Sequence, residues 1–174
     1  MPKKPVSQKV KNKPIRVLFV CLGNICRSPT AHALFQAYVN KQGYADSIVI
    51  DSAGTGSWHA GHPPDGRAQR VALEQGYDMS DLRSRTVSPD DFETFDYILG
   101  MDKENFKHLA MMKPSNYRGV LGLFLTESGI HHTEEVPDPF YGDQQHFEQA
   151  IALIQNGVAG LFNRIKGDGL LSKV

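Results

Sequence analysis

The chain has 174 residues and a mass of 19.3 kDa, which is the size of one compact domain. Its 19 basic and 19 acidic side chains cancel, which argues against a nucleic-acid-binding protein, and two cysteines are too few for a disulfide-stabilised scaffold. No apolar run reaches the roughly 18 residues of a membrane-spanning helix, and no apolar segment follows the N-terminal lysines as in a secretory signal. We therefore expect a cytoplasmic protein with no nucleic-acid partner and no membrane span.

The N-terminal segment over 1–14 differs in composition from the rest of the chain. It contains five lysines and three prolines but no acidic side chain. Such a segment buries too little apolar surface to offset the entropy that it would lose on ordering. The sequence predicts a disordered basic tail over 1–14 and one domain over 15–174. Docking of the tail to an anionic partner is the alternative interpretation.

From Ile15 onward, short apolar runs alternate with segments whose apolar residues recur at helical spacing. The pattern predicts strands over 15–20, 47–50, 97–99 and 120–125. It predicts helices from an N-cap at Ser28 to a stop at Gly43, then over 68–75, 105–112 and 144–166, with a short helical turn that residues 88–91 open. A loop rich in Gly, Ser and Pro is predicted over 52–66, and a polar loop leads to Asp138.

This alternation of strands and helices predicts the α/β fold class. We expect a single doubly wound domain, in which helices flank a four-stranded parallel sheet with the flavodoxin-like strand order 2-1-3-4. In such folds, ligands bind beyond the carboxyl ends of the strands. The segment that follows the first strand is therefore the first place to look for a functional site.

That segment, residues 21–29, reads Cys-Leu-Gly-Asn-Ile-Cys-Arg-Ser-Pro. It leads into a helix N-terminus, where unpaired N–H groups and the helix dipole attract anions. Gly23 and Asn24 tolerate the left-handed backbone that turns successive N–H groups inward. The dipole and Arg27 both favour the thiolate form of Cys21, and the guanidinium suits two oxygens of one phosphate. The pattern predicts a phosphate site with Cys21 as nucleophile and a phosphocysteine intermediate.

A lone cysteine at the end of a strand is more often a small buried apolar residue than a nucleophile. A Cys followed six residues later by Arg is also a weak signal by itself. The prediction depends on the whole combination of strand, Cys21, the turn at Gly23 and Asn24, Arg27 and the Ser-Pro helix start.

The same residues carry a resemblance to a known family. Residues 21–28 resemble the Cys-x5-Arg-Ser phosphate loop of the low-molecular-weight protein tyrosine phosphatases, and we call them the phosphate loop. The likeness continues through residues 51–55, 63–65, 84–85, 95–99, 101–102 and 138–142, and into the last helix. It covers nearly all of the chain after residue 14.

The resemblance implies a role for each residue of the phosphate loop. Cys21 would attack phosphorus, while Arg27 and the loop amides would hold the phosphate oxygens. The amides concerned belong to Leu22, Gly23, Asn24, Ile25 and Cys26. Ser28 would donate a hydrogen bond to the Cys21 thiolate, and Asn24 would brace the loop. Without the resemblance, Ser28 is also a helix cap and Asn24 a turn residue.

Three further groups of residues enter through the resemblance alone. Asp138 would protonate the leaving group and then deprotonate the attacking water, although an Asp-Pro pair is commonly only a turn. Trp58, Phe140 and Tyr141 would enclose the substrate ring, whereas a lone Trp is more often a core residue. Cys26 would pair with Cys21 on oxidation, whereas by its residue type alone it is a small apolar side chain that packs beneath the loop.

The implied activity is the hydrolysis of phosphotyrosine in proteins and of small aryl phosphates, which releases inorganic phosphate. It needs no cofactor and no metal, and the histidines, including His59, His62, His131 and His132, are interpreted as surface residues. The alternatives are a non-catalytic phosphotyrosine-binding module and a thiol-dependent arsenate reductase. The second needs further cysteines, and none follows Cys26. We expect a monomer or weak self-association.

Overall fold

Four strands and six helices follow one another along the part of the chain that the computed structural model describes, residues 13–169 and 171. The strands are β1 (Ile15–Cys21), β2 (Ile48–Gly54), β3 (Tyr97–Gly100) and β4 (Val120–Leu123). The helices are α1 (Arg27–Lys41), α2 (Gly66–Glu74), α3 (Asp91–Thr94), α4 (Lys103–Met112), α5 (Phe124–Glu127) and α6 (Gln144–Gly167).

The four strands form one parallel sheet in the order β2-β1-β3-β4. The predicted fold class and strand order are therefore confirmed. β1 lies between β2 and β3 and is almost entirely buried, as its continuous apolar sequence predicts. Its last residue, Cys21, pairs with Gly54 at the end of β2, so the carboxyl ends of these strands meet at one edge of the sheet.

Alternate residues of β1 point to opposite faces of the sheet and into two apolar clusters. Phe19 lies in the larger cluster, where its ring meets Phe35 of α1 and Phe124 of α5 edge to face at centroid distances of 5.7 and 5.6 Å. Leu18 and Val20 lie in the smaller cluster on the other face. Helices cover both faces, which is the doubly wound arrangement that the sequence predicts.

Two predicted strand ends are wrong by two residues or more. The second strand continues to Gly54 instead of ending at residue 50, because parallel pairing with β1 extends over the polar residues Asp51 and Ser52. The fourth strand ends at Leu123, and helix α5 follows where a strand to residue 125 and then a loop were predicted. Phe124 is fully buried, and its contacts with Phe19 and with α6 decide this change of direction.

The predicted basic tail lies almost wholly outside the described residues, which begin at Lys13. β1 starts at Ile15, and the domain boundary that we place before it stays a prediction. Over the described ranges, no helix is both long enough and apolar enough to cross a membrane.

Two glycines of α6 test the packing of this helix on Phe124. A Cβ at Gly157 would lie 2.6 Å from Phe124 Cζ, whereas a Cβ at Gly167 would have no neighbour within 4 Å. We expect Gly157→Ala to lower the free energy of unfolding by about 1–3 kcal/mol, because the buried ring has no room to move. Gly167→Ala should leave the free energy unchanged or raise it by about 0.5 kcal/mol, because alanine favours the helix. Urea unfolding measures both, and equal values for the two variants would contradict this packing.

Candidate active site

The phosphate loop lies where β1 ends and α1 begins, at the carboxyl edge of the sheet. Its carbonyl groups point outward: the carbonyls of Cys21, Leu22 and Ile25 accept hydrogen bonds from the backbone N–H groups of Thr55, Gly56 and Asp65 at 2.8–2.9 Å. In the described part of the chain, none of the N–H groups of residues 22–26 donates to a backbone or side-chain acceptor. The loop is therefore a concave surface of free N–H donors, which is an anion site.

Two positions allow this curvature. Asn24 has a φ of 54°, in the left-handed region that asparagine tolerates better than most residues. Gly54, on the neighbouring strand, has no space for a side chain, because a Cβ would lie 2.8 Å from the Leu22 carbonyl oxygen and 3.1 Å from the Asn24 nitrogen. The close approach of β2 to the loop therefore requires glycine at this position.

Ser28 holds its hydroxyl group beneath the loop, at 3.0 Å from Cys21 Sγ. Asn24 Nδ2 donates to Ser28 Oγ at 2.7 Å, and the Ala53 carbonyl oxygen is 3.4 Å away. Because Asn24 donates to this oxygen, the single hydroxyl proton of Ser28 has two possible acceptors, the sulfur and the Ala53 carbonyl oxygen, of which the sulfur is the nearer. The predicted N-cap role of Ser28 is wrong, since α1 begins at Arg27 and Cys26 occupies the cap without a side-chain hydrogen bond.

Arg27 is a buried guanidinium, only 2% exposed. Its Nη1 donates to Asp102 Oδ2 at 2.6 Å and to the Val136 carbonyl at 2.9 Å, and its Nη2 lies 3.5 Å from Asp138 Oδ2. Burial acts to lower the pKa of Arg27, but the negative charges of Cys21, Asp102 and Asp138 outweigh it and raise this pKa above its ordinary value. The site thus has a permanent positive charge beside the sulfur.

Asp138 lies on the segment that precedes α6, and the structure brings it into the same cavity as Cys21 and Arg27. The cavity has a volume of about 290 Å³. The phosphate loop forms its floor, and its walls include the three predicted ring-binding residues, Trp58, Phe140 and Tyr141. Trp58 is 69% exposed and therefore is not the core residue that its type alone would predict.

His59 differs from the surface residue that we expected. It is half-buried, it lines the cavity, and its ring centroid lies 6.3 Å from that of Phe140. The reason is that the loop after β2 folds back over Gly23, whose Cβ position is only 3.0 Å from the His59 ring. His62, His131 and His132 are exposed as expected. Among the described residues, no group of three His, Cys, Asp or Glu side chains is placed to hold a metal ion.

Sequence reasoning assigned no role to three residues that support the site. Asp102, at the start of α4, is the hydrogen-bonded partner of Arg27. Arg85 donates its backbone N–H to Asn24 Oδ1 at 3.1 Å, while its guanidinium binds Asp51 and Asp91. Ser84 Oγ donates to the Gly23 carbonyl at 3.0 Å. The only signal was that all three lie in segments that match the family pattern.

Cys26 is the second thiol of the loop and is buried beneath it. Burial, reinforced by the nearby charges of Asp65, Cys21 and Asp138, raises the pKa of Cys26 far above the ordinary range of a thiol. Cys26 is therefore neutral at physiological pH.

Comparisons with known proteins agree with this geometry. A family model described as low molecular weight phosphotyrosine protein phosphatase matches residues 16–170. The low molecular weight protein-tyrosine-phosphatase YfkJ of Bacillus subtilis is 39% identical over 152 residues, which cover 87% of this chain and 96% of that protein. The low molecular weight phosphotyrosine protein phosphatase of Homo sapiens is 39% identical over 135 residues, which cover 76% and 84%.

A solved structure also matches the fold. The protein tyrosine phosphatase from Entamoeba histolytica, crystallised with Hepes in its active site, superimposes with a TM-score of 0.84 at 35% identity. The match covers 89% of this chain and 99% of that one. The matches in sequence and in fold extend along almost the whole described chain, and the predicted enzyme class is confirmed. The chain belongs to the low molecular weight phosphotyrosine protein phosphatase family.

Proposed function

We propose that the protein hydrolyses phosphotyrosine in proteins, and small aryl phosphates, through a phosphocysteine intermediate on Cys21. The observation that carries this proposal is the position of the Cys21 sulfur. It lies 3.0 Å from the Ser28 hydroxyl, in a loop of free N–H donors that is closed by a buried Arg27. A nucleophile and an anion site are thus combined at one place. The names of the relatives support this assignment.

In the first step, the loop amides and the Arg27 guanidinium bind the phosphate oxygens and place phosphorus above the Cys21 sulfur. The thiolate attacks phosphorus, and the bond from phosphorus to the ester oxygen breaks. Asp138 gives its proton to the departing phenolate oxygen. Donors that are already oriented stabilise the charge that develops on the transferring group, with no further reorganisation at the moment of reaction.

In the second step, water attacks the phosphorus of phosphocysteine. The Asp138 carboxylate, left ionised by the first step, accepts a proton from this water, so that one carboxyl group acts in turn as acid and base. The bond between phosphorus and sulfur breaks, and inorganic phosphate leaves. Ser28 stabilises the returning Cys21 thiolate and thereby makes it a better leaving group.

The walls of the cavity indicate the substrate class. Trp58 lines the same cavity as Phe140 and Tyr141, whose rings meet edge to face at 4.9 Å. A slot between aromatic side chains binds a flat ring, and it lets the long phosphotyrosine side chain place its phosphate at the floor. Phosphoserine is shorter and would leave its phosphate above the thiolate. Phosphotyrosine in a protein is therefore the proposed substrate.

The alternative functions are less consistent with the site. A binding module that only held phosphotyrosine would need neither a nucleophile at Cys21 nor an acid at Asp138. An arsenate reductase would need further cysteines, and none follows Cys26. The cytoplasmic location, and the monomeric or weakly associated state, stay predictions.

We also propose that Cys26 protects Cys21 during oxidation. Hydrogen peroxide would oxidise the Cys21 thiolate to sulfenic acid and itself be reduced to water. The Cys26 thiol would then attack the sulfenic sulfur, form the disulfide and release a second water. This proposal is supported by the position of the two thiols, which belong to one loop and line the same cavity.

Hydrolysis of p-nitrophenyl phosphate in excess EDTA tests the proposed reaction. We expect turnover by the wild type and a loss of at least about 10³-fold in Cys21→Ser, because serine at this position is a far weaker nucleophile. Ser88→Ala, which removes a hydroxyl far from the phosphate loop in sequence, is the control and should keep wild-type turnover. Activity that survives in Cys21→Ser would overturn the proposed nucleophile. Phosphate binding without turnover in the wild type would favour the binding module.

Peroxide treatment tests the proposed disulfide. Brief exposure followed by mass spectrometry should show the loss of two hydrogens in a peptide that contains both Cys21 and Cys26, and a thiol reductant should restore activity. In Cys26→Ala we expect inactivation that a thiol reductant reverses poorly, because Cys21 has no nearby thiol and continues to higher oxidation states. Equal recovery of the two proteins would contradict the protective role.

A further inference from the structure

The proposed mechanism requires that Phe140 and its segment keep a defined position relative to the phosphate loop. Phe140 forms a wall of the cavity and follows the acid Asp138 by two residues, in a segment without regular secondary structure. The local hydrogen bonds of this segment are internal: Phe140 N–H donates to Asp138 Oδ1, and Gly142 N–H donates to the Pro139 carbonyl. Such bonds shape the turn, while the Arg27–Asp138 ion pair at 3.5 Å joins Asp138, but not the Phe140 ring, to the phosphate loop.

Arg67 provides an attachment through the ring of Phe140. The centre of its guanidinium lies over the Phe140 ring at 5.3 Å from the centroid, and over the ring of Phe147 at 4.7 Å. Phe147 is a buried residue in the first turn of α6. Both distances are within the range of cation–π contacts, for which Arg is well suited. One guanidinium therefore joins the cavity wall to the helix that follows it.

Asp65 fixes the orientation of this guanidinium. Its Oδ1 accepts from Arg67 Nε at 3.0 Å and its Oδ2 accepts from Arg67 Nη2 at 2.9 Å, which is a two-point contact. Asp65 is also the N-cap of α2, because Oδ1 accepts from the Arg67 backbone N–H at 2.8 Å. These bonds hold the pKa of Asp65 below its ordinary value, the hydrogen bond from the Arg67 side chain being the largest cause. The pair is therefore ionic at neutral pH.

The same Asp65 is bound to the phosphate loop. Its backbone N–H donates to the Ile25 carbonyl at 2.8 Å. A continuous chain of contacts thus runs from the phosphate loop through Asp65 and Arg67 to Phe140. It connects the two parts of the site that hold the phosphate and the leaving group, respectively.

We propose that Arg67 is a positioning residue, which sets the placement of Phe140, and with it the acid Asp138, relative to the phosphate loop. Arg67 touches no reacting atom. It keeps Phe140 at a fixed distance from the phosphate loop. The substrate ring then contacts Phe140 while the leaving oxygen lies within reach of Asp138. This inference rests on the proposed phosphatase reaction, since it assigns the acid role to Asp138.

The proposal predicts an effect that depends on the leaving group. In Arg67→Met, the backbone N–H at position 67 remains for the Asp65 cap, so that α2 keeps its start while the contacts with the two rings and the two-point contact are lost. We expect kcat/KM for phenyl phosphate to fall about tenfold, because its leaving group needs a well-placed acid. For 2,4-dinitrophenyl phosphate, whose leaving group needs no proton, only the contact of the aryl ring with the Phe140 wall is weakened, and kcat/KM should fall by a smaller factor, about fivefold or less.

Matched variants separate positioning from general damage. In Asp138→Asn, kcat/KM for phenyl phosphate should also fall more than kcat/KM for 2,4-dinitrophenyl phosphate, and the difference between the two esters should be larger than in Arg67→Met. Arg70→Met, at an exposed arginine of the same helix, should behave as the wild type. Arg67→Lys keeps a positive charge but not the planar two-point contact, and we expect it to restore part of the activity toward phenyl phosphate. Equal losses on both esters, or no loss on either, would overturn the proposal.

A binding measurement tests Arg67 independently of turnover. Quenching of Trp58, the single tryptophan of the chain, reports ligands in the cavity that it lines. In Arg67→Met, inorganic phosphate should bind within about twofold of the wild type, and phenylphosphonate about fivefold more weakly, because only the second ligand uses the Phe140 wall. Unchanged phenylphosphonate affinity would overturn the positioning role. If turnover by the wild type did not depend on Cys21, the proposed function would be overturned. The comparison of phosphate and phenylphosphonate binding would still decide the role of Arg67.

Discussion

A positive charge buried at the edge of the sheet organises the site. Arg27 is nearly inaccessible to solvent, and an unpaired guanidinium in such a place would be strongly destabilising. Asp102 at the start of α4, the Val136 carbonyl and Asp138 therefore converge on it from separate parts of the chain. The requirement to neutralise one charge thus brings these segments together at the phosphate loop, and it holds the charge beside Cys21.

The backbone around this charge is equally constrained. The N–H groups of the phosphate loop face inward because neighbouring residues bind its carbonyls from outside, and Asn24 adopts a left-handed conformation to allow this. Gly54 makes the approach of β2 possible. These contacts are made before any substrate arrives. Oriented donors of this kind stabilise the transition state more than solvent water would, because they need no further ordering during the reaction.

Two other arginines connect this centre to its surroundings. Arg85 braces the loop from behind, through Asn24 and two aspartates, whereas Arg67 joins Asp65 to the aromatic wall at Phe140. Both use the planar, multiply donating guanidinium to hold separate segments at one distance, which a flexible lysine does less well. The support of the site is thus largely ionic, although apolar packing determines the fold beneath it.

The sequence by itself determined the succession of strands and helices, the parallel sheet and the phosphate loop, because each depends on residues that are close together in the chain or on general rules of parallel sheets. Only the tertiary structure decided which distant residues meet this loop. The pairing of Arg27 with Asp102, the brace by Arg85 and the place of His59 in the cavity wall depend on how loops pack, for which local patterns carry no signal. The same reason explains α5, where burial of Phe124 against Phe19 and α6 overrides the local preference for a strand.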